Sequence, residues 1–142
     1  MTLPTTPLPV GPYRATKPAV LTAIAILQAA LDDGEAVGYK MPAVWPRVYI
    51  KVTRAGGGPH EPTALVTDVA RIMCELYGAN VADVEQASST AIAALRNSQG
   101  TIVGGVFLRG FDNIDGPTDF PDVTVPDMCR WQFQGDLLVS TS

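Results

Sequence analysis

Residues 44–54 alternate in side-chain character, and that alternation is the strongest constraint in the chain. Successive side chains of a strand point to opposite faces. Val48, Ile50 and Val52 therefore share one apolar face, and Arg47, Tyr49, Lys51 and Thr53 share the other. Such a strand is half-buried, so the chain must build a sheet and cover one side of it. Pro46 sits near the strand's start, where a ladder donor can be spared. Gly56-Gly57-Gly58 reads as its end and as a flexible loop. That run lacks the Lys-Ser/Thr of a phosphate-binding loop, and no helix follows it directly.

Other segments fill in the order around this strand. Thr16 is a candidate helix cap, with Pro18 in the first turn. Val20, Leu21, Ile24, Leu27 and Leu31 follow at the spacing of one apolar stripe, and Gly34 stops the helix. Asp32 and Asp33, in the last turn, oppose the helix dipole. A second strand fits 67–76, with Ile72, Cys74 and Leu76 facing one way and Arg71, Met73 and Glu75 the other. Asn80 caps a second helix over 81–97, whose stripe (Val84, Ala87, Ala91, Ala94 and Leu95) is thin. A third strand is expected over 101–111, with Gly104-Gly105 as a bulge or bend. The stretch with Pro117, Pro121 and Pro126 reads as irregular, and a last strand covers 130–140.

The pattern predicts an α+β fold: a mixed or antiparallel sheet of about four strands with two helices packed on one face. One domain spans 1–142, and residues 1–14, with Pro4, Pro7, Pro9 and Pro12, form an extended arm. No period of 20 to 50 residues recurs, which excludes repeat architectures. Two helices cover one face of such a sheet. Tyr49 and Met73, on the other, call for water or a second subunit.

Composition removes several function classes. At 46% hydrophobic and 17% charged, the chain can bury a core. Its longest apolar stretch, 19–31, is broken by Thr22 and Gln28 and is too short to span a membrane. Met1-Thr2-Leu3-Pro4 has neither the basic nor the apolar region of a secretory signal, so none is expected. Cys74 and Cys129 lie far apart in apolar runs and read as unpaired thiols. With one histidine they cannot assemble the usual four ligands of a zinc site. His60, in Gly58-Pro59-His60-Glu61-Pro62, reads as a solvated loop residue without a nucleophile to serve. Asp112-Asn113-Ile114-Asp115-Gly116 resembles part of a calcium loop, but aligning Gly116 at the sixth position puts Phe111 first, where it cannot ligate. No catalytic residue, cofactor or metal is expected.

The net charge of −4 disfavours a dedicated nucleic-acid binder, and its distribution says more. Lys40, Arg47, Lys51 and Arg54 occur with no acid among them, whereas Asp112, Asp115, Asp119, Asp122 and Asp127 occur with no base. Two solvated surfaces account for this. So does head-to-tail pairing, in which the basic strand (Arg47, Lys51, Arg54) meets the acidic loop (Asp112, Asp115, Asp119, Asp122) of the next copy, closing a ring where the rotation allows.

The run Trp45-Pro46-Arg47-Val48-Tyr49-Ile50-Lys51-Val52-Thr53-Arg54-Ala55-Gly56-Gly57, then Asp68-Val69-Ala70-Arg71-Ile72-Met73-Cys74, the helix with Ala87, Ala91 and Ala94-Leu95-Arg96, and Cys129-Arg130-Trp131-Gln132-Phe133 appear in order. Together, over about residues 17–140, they resemble the tail terminator proteins of long-tailed bacteriophages, especially those of actinobacteria. Met128-Cys129 stands where that pattern commonly has a proline. The resemblance implies a homohexameric ring that caps the tail tube, ends its polymerisation and presents the head-tail joining surface. It implies as partners the tail tube protein and a head completion or stopper protein. It places the protein in the host cytoplasm during assembly and at the head-proximal end of the tail in the virion. Genome DNA would pass through the pore without specific binding. Phosphate contacts add up, so the lumen is expected to be neutral or acidic, with the basic strand edge between subunits. The alternatives are another head-tail connector or tube-like subunit, a monomeric binding module with a polar second sheet face, and a small enzyme using Asp112 and Asp115.

Overall fold

The computed structural model describes residues 17–59, 67–125 and 127–140. Its elements are α1 (Ala19–Ala30), β1 (Glu35–Gly38), β2 (Val48–Pro59), β3 (Thr67–Gly78), α2 (Val81–Asn97), β4 (Ile102–Val103), β5 (Val106–Asp119) and β6 (Cys129–Ser140). The strands form one sheet in the order β1-β2-β3-β6-β5-β4, with β1 parallel to β2 and every other pair antiparallel. No described helix is long and apolar enough to cross a membrane. Thr16, the arm over 1–14 and His60 lie outside the described residues.

The sheet therefore corrects the expected count: it is six-stranded and mixed, not about four-stranded. β1 falls in what reads as linker, because four residues are too few to show alternation. It is anchored where the Arg47 amide donates to the Gly34 carbonyl at 2.7 Å. β4 and β5 were expected as one strand, yet Gly104 and Gly105 both take positive φ, 55° and 80°, and turn the chain into a hairpin. β5 then continues through Asp112 and Asp115 to Asp119, where an irregular stretch was expected. Three register irregularities against β6 let this Asp-, Gly- and Pro-bearing segment stay in the sheet. The glycine run 56–58 lies inside β2, with the shift between Arg54 and Gly57 absorbing its bend.

Both helices lie on one face. α2 forms as the residues dictate: the Asn80 side chain accepts from the Ala82 amide at 2.9 Å, Asp83 is in the first turn and Arg96 in the last. Its buried residues are Val84, Ala87, Ser88, Ala91 and Leu95. α1 starts after Pro18 and buries Ala19, Thr22, Ala23, Ile24, Ile26 and Leu27; Leu21, placed on the stripe by spacing, is 59% exposed. Apolar residues surround this helix almost completely, so spacing alone does not choose its buried side.

The core between helices and sheet joins Leu27 and Leu95 to Ile50, Ile72, Leu76, Leu108, Phe133 and Leu137. The β5 bulges bring Phe111 over Gly135, where a Cβ would collide with its ring. At the closed end of β3, a Cβ on Gly78 would stand 2.7 Å from a methyl of Val84, so Gly78 admits the start of α2.

Candidate assembly surfaces

The sheet face without helices is polar and largely satisfied by its own chain. In its upper part Arg71 on β3 donates to Gln134 Oε1 at 3.1 Å, to Asp136 Oδ1 at 3.1 Å and to the Asn113 carbonyl at 3.3 Å; Asn113 Nδ2 donates to Asp136 Oδ2 at 2.9 Å. In its lower part the Tyr77 hydroxyl lies 2.9 Å from Glu75 Oε2 and 3.2 Å from Asp122 Oδ2, donates to one of them at a time, and accepts from Arg130 Nε at 3.2 Å. Arg130 also donates to the Phe120 carbonyl and to Gln132, both at 3.0 Å, and its guanidinium stands 5.0 Å from the centre of the Phe120 ring. Burial and the hydrogen bond to Glu75 push the Tyr77 hydroxyl up to about 12. Hydrogen bonds from the Thr124 hydroxyl and amide hold the Asp122 carboxyl below the usual carboxylate range.

Tyr49 has its cover from the same chain. The loop over 39–47 folds across it: the Tyr49 hydroxyl donates to the Lys40 carbonyl, and Trp45 meets Tyr49 edge-on at 6.3 Å and Tyr77 at 5.7 Å. The second subunit expected over this side is not needed there.

The seven charged residues expected at a subunit contact separate into two groups. Arg47 lies 3.5 Å from both Glu35 and Asp83, linking β1, β2 and the start of α2. Arg54 makes two 3.3 Å bonds to Asp68, whose carboxylate is fully buried. Asp122 is held by Tyr77 and Thr124. Lys51, Asp112, Asp115 and Asp119 have no ion pair among the described residues, and the three acids are exposed along β5. Lys51 is half-buried and lies opposite Glu75 in the register.

Of these residues, Arg54 on β2 and Asp112, Asp115 and Asp119 on β5 lie along stretches of sheet edge that no described strand pairs. β1 covers β2 only from Val48 to Lys51, leaving the outer edge beyond it open. β4 pairs only with Val106 and Phe107 of β5, and Thr101 and Gly100 extend this to Leu108. Beside the open β2 edge is a groove of about 480 Å³ lined by Val20, Leu21, Tyr39, Val52, Thr53 and Arg54. Exposed apolar side chains gather in the loops and helix start at the other end: Met41, Val44, Val81, Phe120 and Val123. Sequence reasoning missed Phe120 and Val123, which it assigned to a solvated acidic loop. Cys74 is fully buried, and burial pushes its thiol up; Cys74 and Cys129 are both free thiols.

No family model and no curated protein matches the sequence. Among solved structures, a chain of the virion of a native gene transfer agent particle has a similar fold, with a TM-score of 0.57 and 14% identity. The similarity covers 87% of this chain and 99% of that one.

Proposed function

We propose that this protein is a structural, non-catalytic virion subunit: a tail terminator that closes into a hexameric ring, caps the tail tube and offers a joining surface to the head. The observation that carries the reading is the likeness to a virion chain over 99% of that chain's length. The sequence resemblance to tail terminators supports the finer role, with a tail tube protein and a head completion or stopper protein as partners. Ring closure brings the basic residues Arg47, Lys51 and Arg54 of one copy toward the acidic Asp112, Asp115, Asp119 and Asp122 of the next. On the helix-free face Arg71 and Arg130 are already held by Asp136 and Glu75 and offer phosphates little grip, whereas Lys51, on the same face, has no ion pair among the described residues. The exposed apolar end carrying Val44, Phe120 and Val123 suits contact with a neighbouring ring.

Light scattering after size exclusion and negative-stain imaging test the ring, and addition to polymerising tube protein tests the cap. A six-fold ring and a fixed tube length are expected. An obligate dimer overturns the terminator reading. A ring that joins tubes without stopping their growth supports another connector or tube-like subunit, which the similarity to a virion chain also fits.

A further inference from the structure

We infer that residues 7–10 add an edge strand to the chain's own sheet, lying antiparallel to β2 beyond the end of β1 and filling the groove beside α1. The chain completes itself in this way, whether or not copies then assemble into a ring. β1 ends opposite Lys51, with Gly38 as its last paired residue. The Val48 amide donates outward to the Gly34 carbonyl at 3.4 Å, and bonding direction alternates along a strand. Val48, Ile50, Val52 and Arg54 therefore all turn their amides and carbonyls away from β3. Past the end of β1, the Val52 carbonyl and the Arg54 amide and carbonyl face no described strand. The groove of about 480 Å³ opens at this place, lined by Val20 and Leu21 of α1, by Tyr39, and by Val52, Thr53 and Arg54. Leu21 and Tyr39 are left 59% and 54% exposed there.

The chain itself leads to this groove. Residues 1–16 lie outside the described residues and run into Lys17, three positions before Val20. Seven steps separate Val10 from Lys17, a reach of up to about 23 Å, ample for a return to α1. Tethered there, the segment meets the groove at an effective concentration that a separate molecule lacks. Its sequence fits the place. Residues 2–13 carry no charged side chain, and the cation in the groove, Arg54, is already held by Asp68. In Pro7-Leu8-Pro9-Val10, prolines alternate with apolar residues. Alternate residues of a strand bond to one side and project from one face. Leu8 and Val10 thus offer their amides to β2, while Pro7 and Pro9 stand on the outer side, where a missing donor protects an edge. Directly opposed residues of an antiparallel pair share a face, so Leu8 and Val10 project with Val52 to the helix side, toward Val20 and Leu21. A parallel strand would turn them to the helix-free side. Gly11-Pro12 then supplies a turn toward α1.

Hydrogen exchange of the full chain tests this, read residue by residue by mass spectrometry at a concentration too low for assembly. The Leu8 and Val10 amides are expected to exchange at least about tenfold more slowly than in a free peptide of residues 1–16. The Arg54 amide should exchange at least about tenfold more slowly than in a chain lacking residues 1–16. Leu8→Asp together with Val10→Asp should abolish both effects and leave the amides of β3 and β6 protected, since neither residue belongs to the described fold. Should the shortened chain not fold, this double variant supplies the comparison for Arg54. Leu8 and Val10 amides that exchange as in the free peptide overturn the inference. So does an Arg54 amide that is indifferent to the segment. Protection that appears only as copies assemble also overturns it, because the strand then comes from a neighbour, and the ring reading stands. Protection in a chain that never assembles upholds the strand and counts against the ring.

Discussion

β3 carries two different environments on alternate residues. Ile72, Cys74 and Leu76 lie fully buried beneath the helices, whereas Arg71, Met73, Glu75 and Tyr77 face the side without helices. The first set is closed by apolar packing, which is non-directional and scales with area. The second is closed by directional bonds, through Arg71 to β5 and β6 and through Tyr77 to Arg130 and the Asp122 loop, with Trp45 lying over Tyr77. Each face is largely completed by the chain's own residues. The unused bonding capacity lies at the β2 and β5 edges, and it is there that a partner is to be sought.

The largest effects belong to buried groups on the helix-covered side. Arg54→Met leaves the Asp68 carboxylate, fully buried, without its cation, and should cost about 3–5 kcal/mol. Leu137→Ala, in the core under α2, should cost about 2–5 kcal/mol. Both are read from urea unfolding. Gln134→Ala, on the opposite face of β6, removes one bond to Arg71 and should cost about 1 kcal/mol. If Gln134→Ala destabilises as much as Leu137→Ala, the contrast between the two faces is wrong.

The Arg54–Asp68 pair also explains how far charge could be read from sequence. The separation of bases from acids is visible along the chain. Which charges are available to a partner is not, because it depends on acids distant in sequence: Asp68 for Arg54, Asp83 and Glu35 for Arg47. Reversing Arg47, Lys51 and Arg54 together would damage the fold along with any contact. The fold divides in the same way. α2 and β6 lie where spacing and capping put them, since each is long enough to show its period. β1 and β4 are too short to show one. The far half of β5 carries glycine, proline and aspartates that read as loop, and only its pairing with β6 makes it strand. Trp45 looked like the start of a strand but belongs to the loop over Tyr49.

A pH experiment isolates the polar face. The Tyr77 hydroxyl titrates near 12 in the folded chain against 10.0 when unperturbed, so folding favours its protonated form. The stability from that preference is fully present below pH 10 and is lost as pH rises from 10 through 12. Tyr77→Phe has no such proton, so the stability difference between wild type and variant should narrow across that window in urea titrations. A constant difference would mean that folding does not raise the pKa of the Tyr77 hydroxyl, against the burial and the Glu75 bond that favour its protonated form.

The smallest effect is the most telling. Asp115 is exposed, has no ion pair among the described residues, and lies on the outermost part of the sheet between two register irregularities. Asp115→Asn keeps the size and removes the charge, so the unassembled chain should change by no more than about 0.5 kcal/mol, as exposed substitutions usually do. Unfolding measured at a concentration too low for assembly checks this. Arg54, at the other edge, cannot pass the same test, because Asp68 depends on it. The two edges are therefore unequal: β2 presents a cation that the fold already uses, and β5 presents acids that the fold does not. If Asp115→Asn is silent in the isolated chain but weakens assembly, the acid acts on another molecule. If it destabilises the isolated chain by more than about 1 kcal/mol, β5 is held by that carboxylate and its edge is not spare.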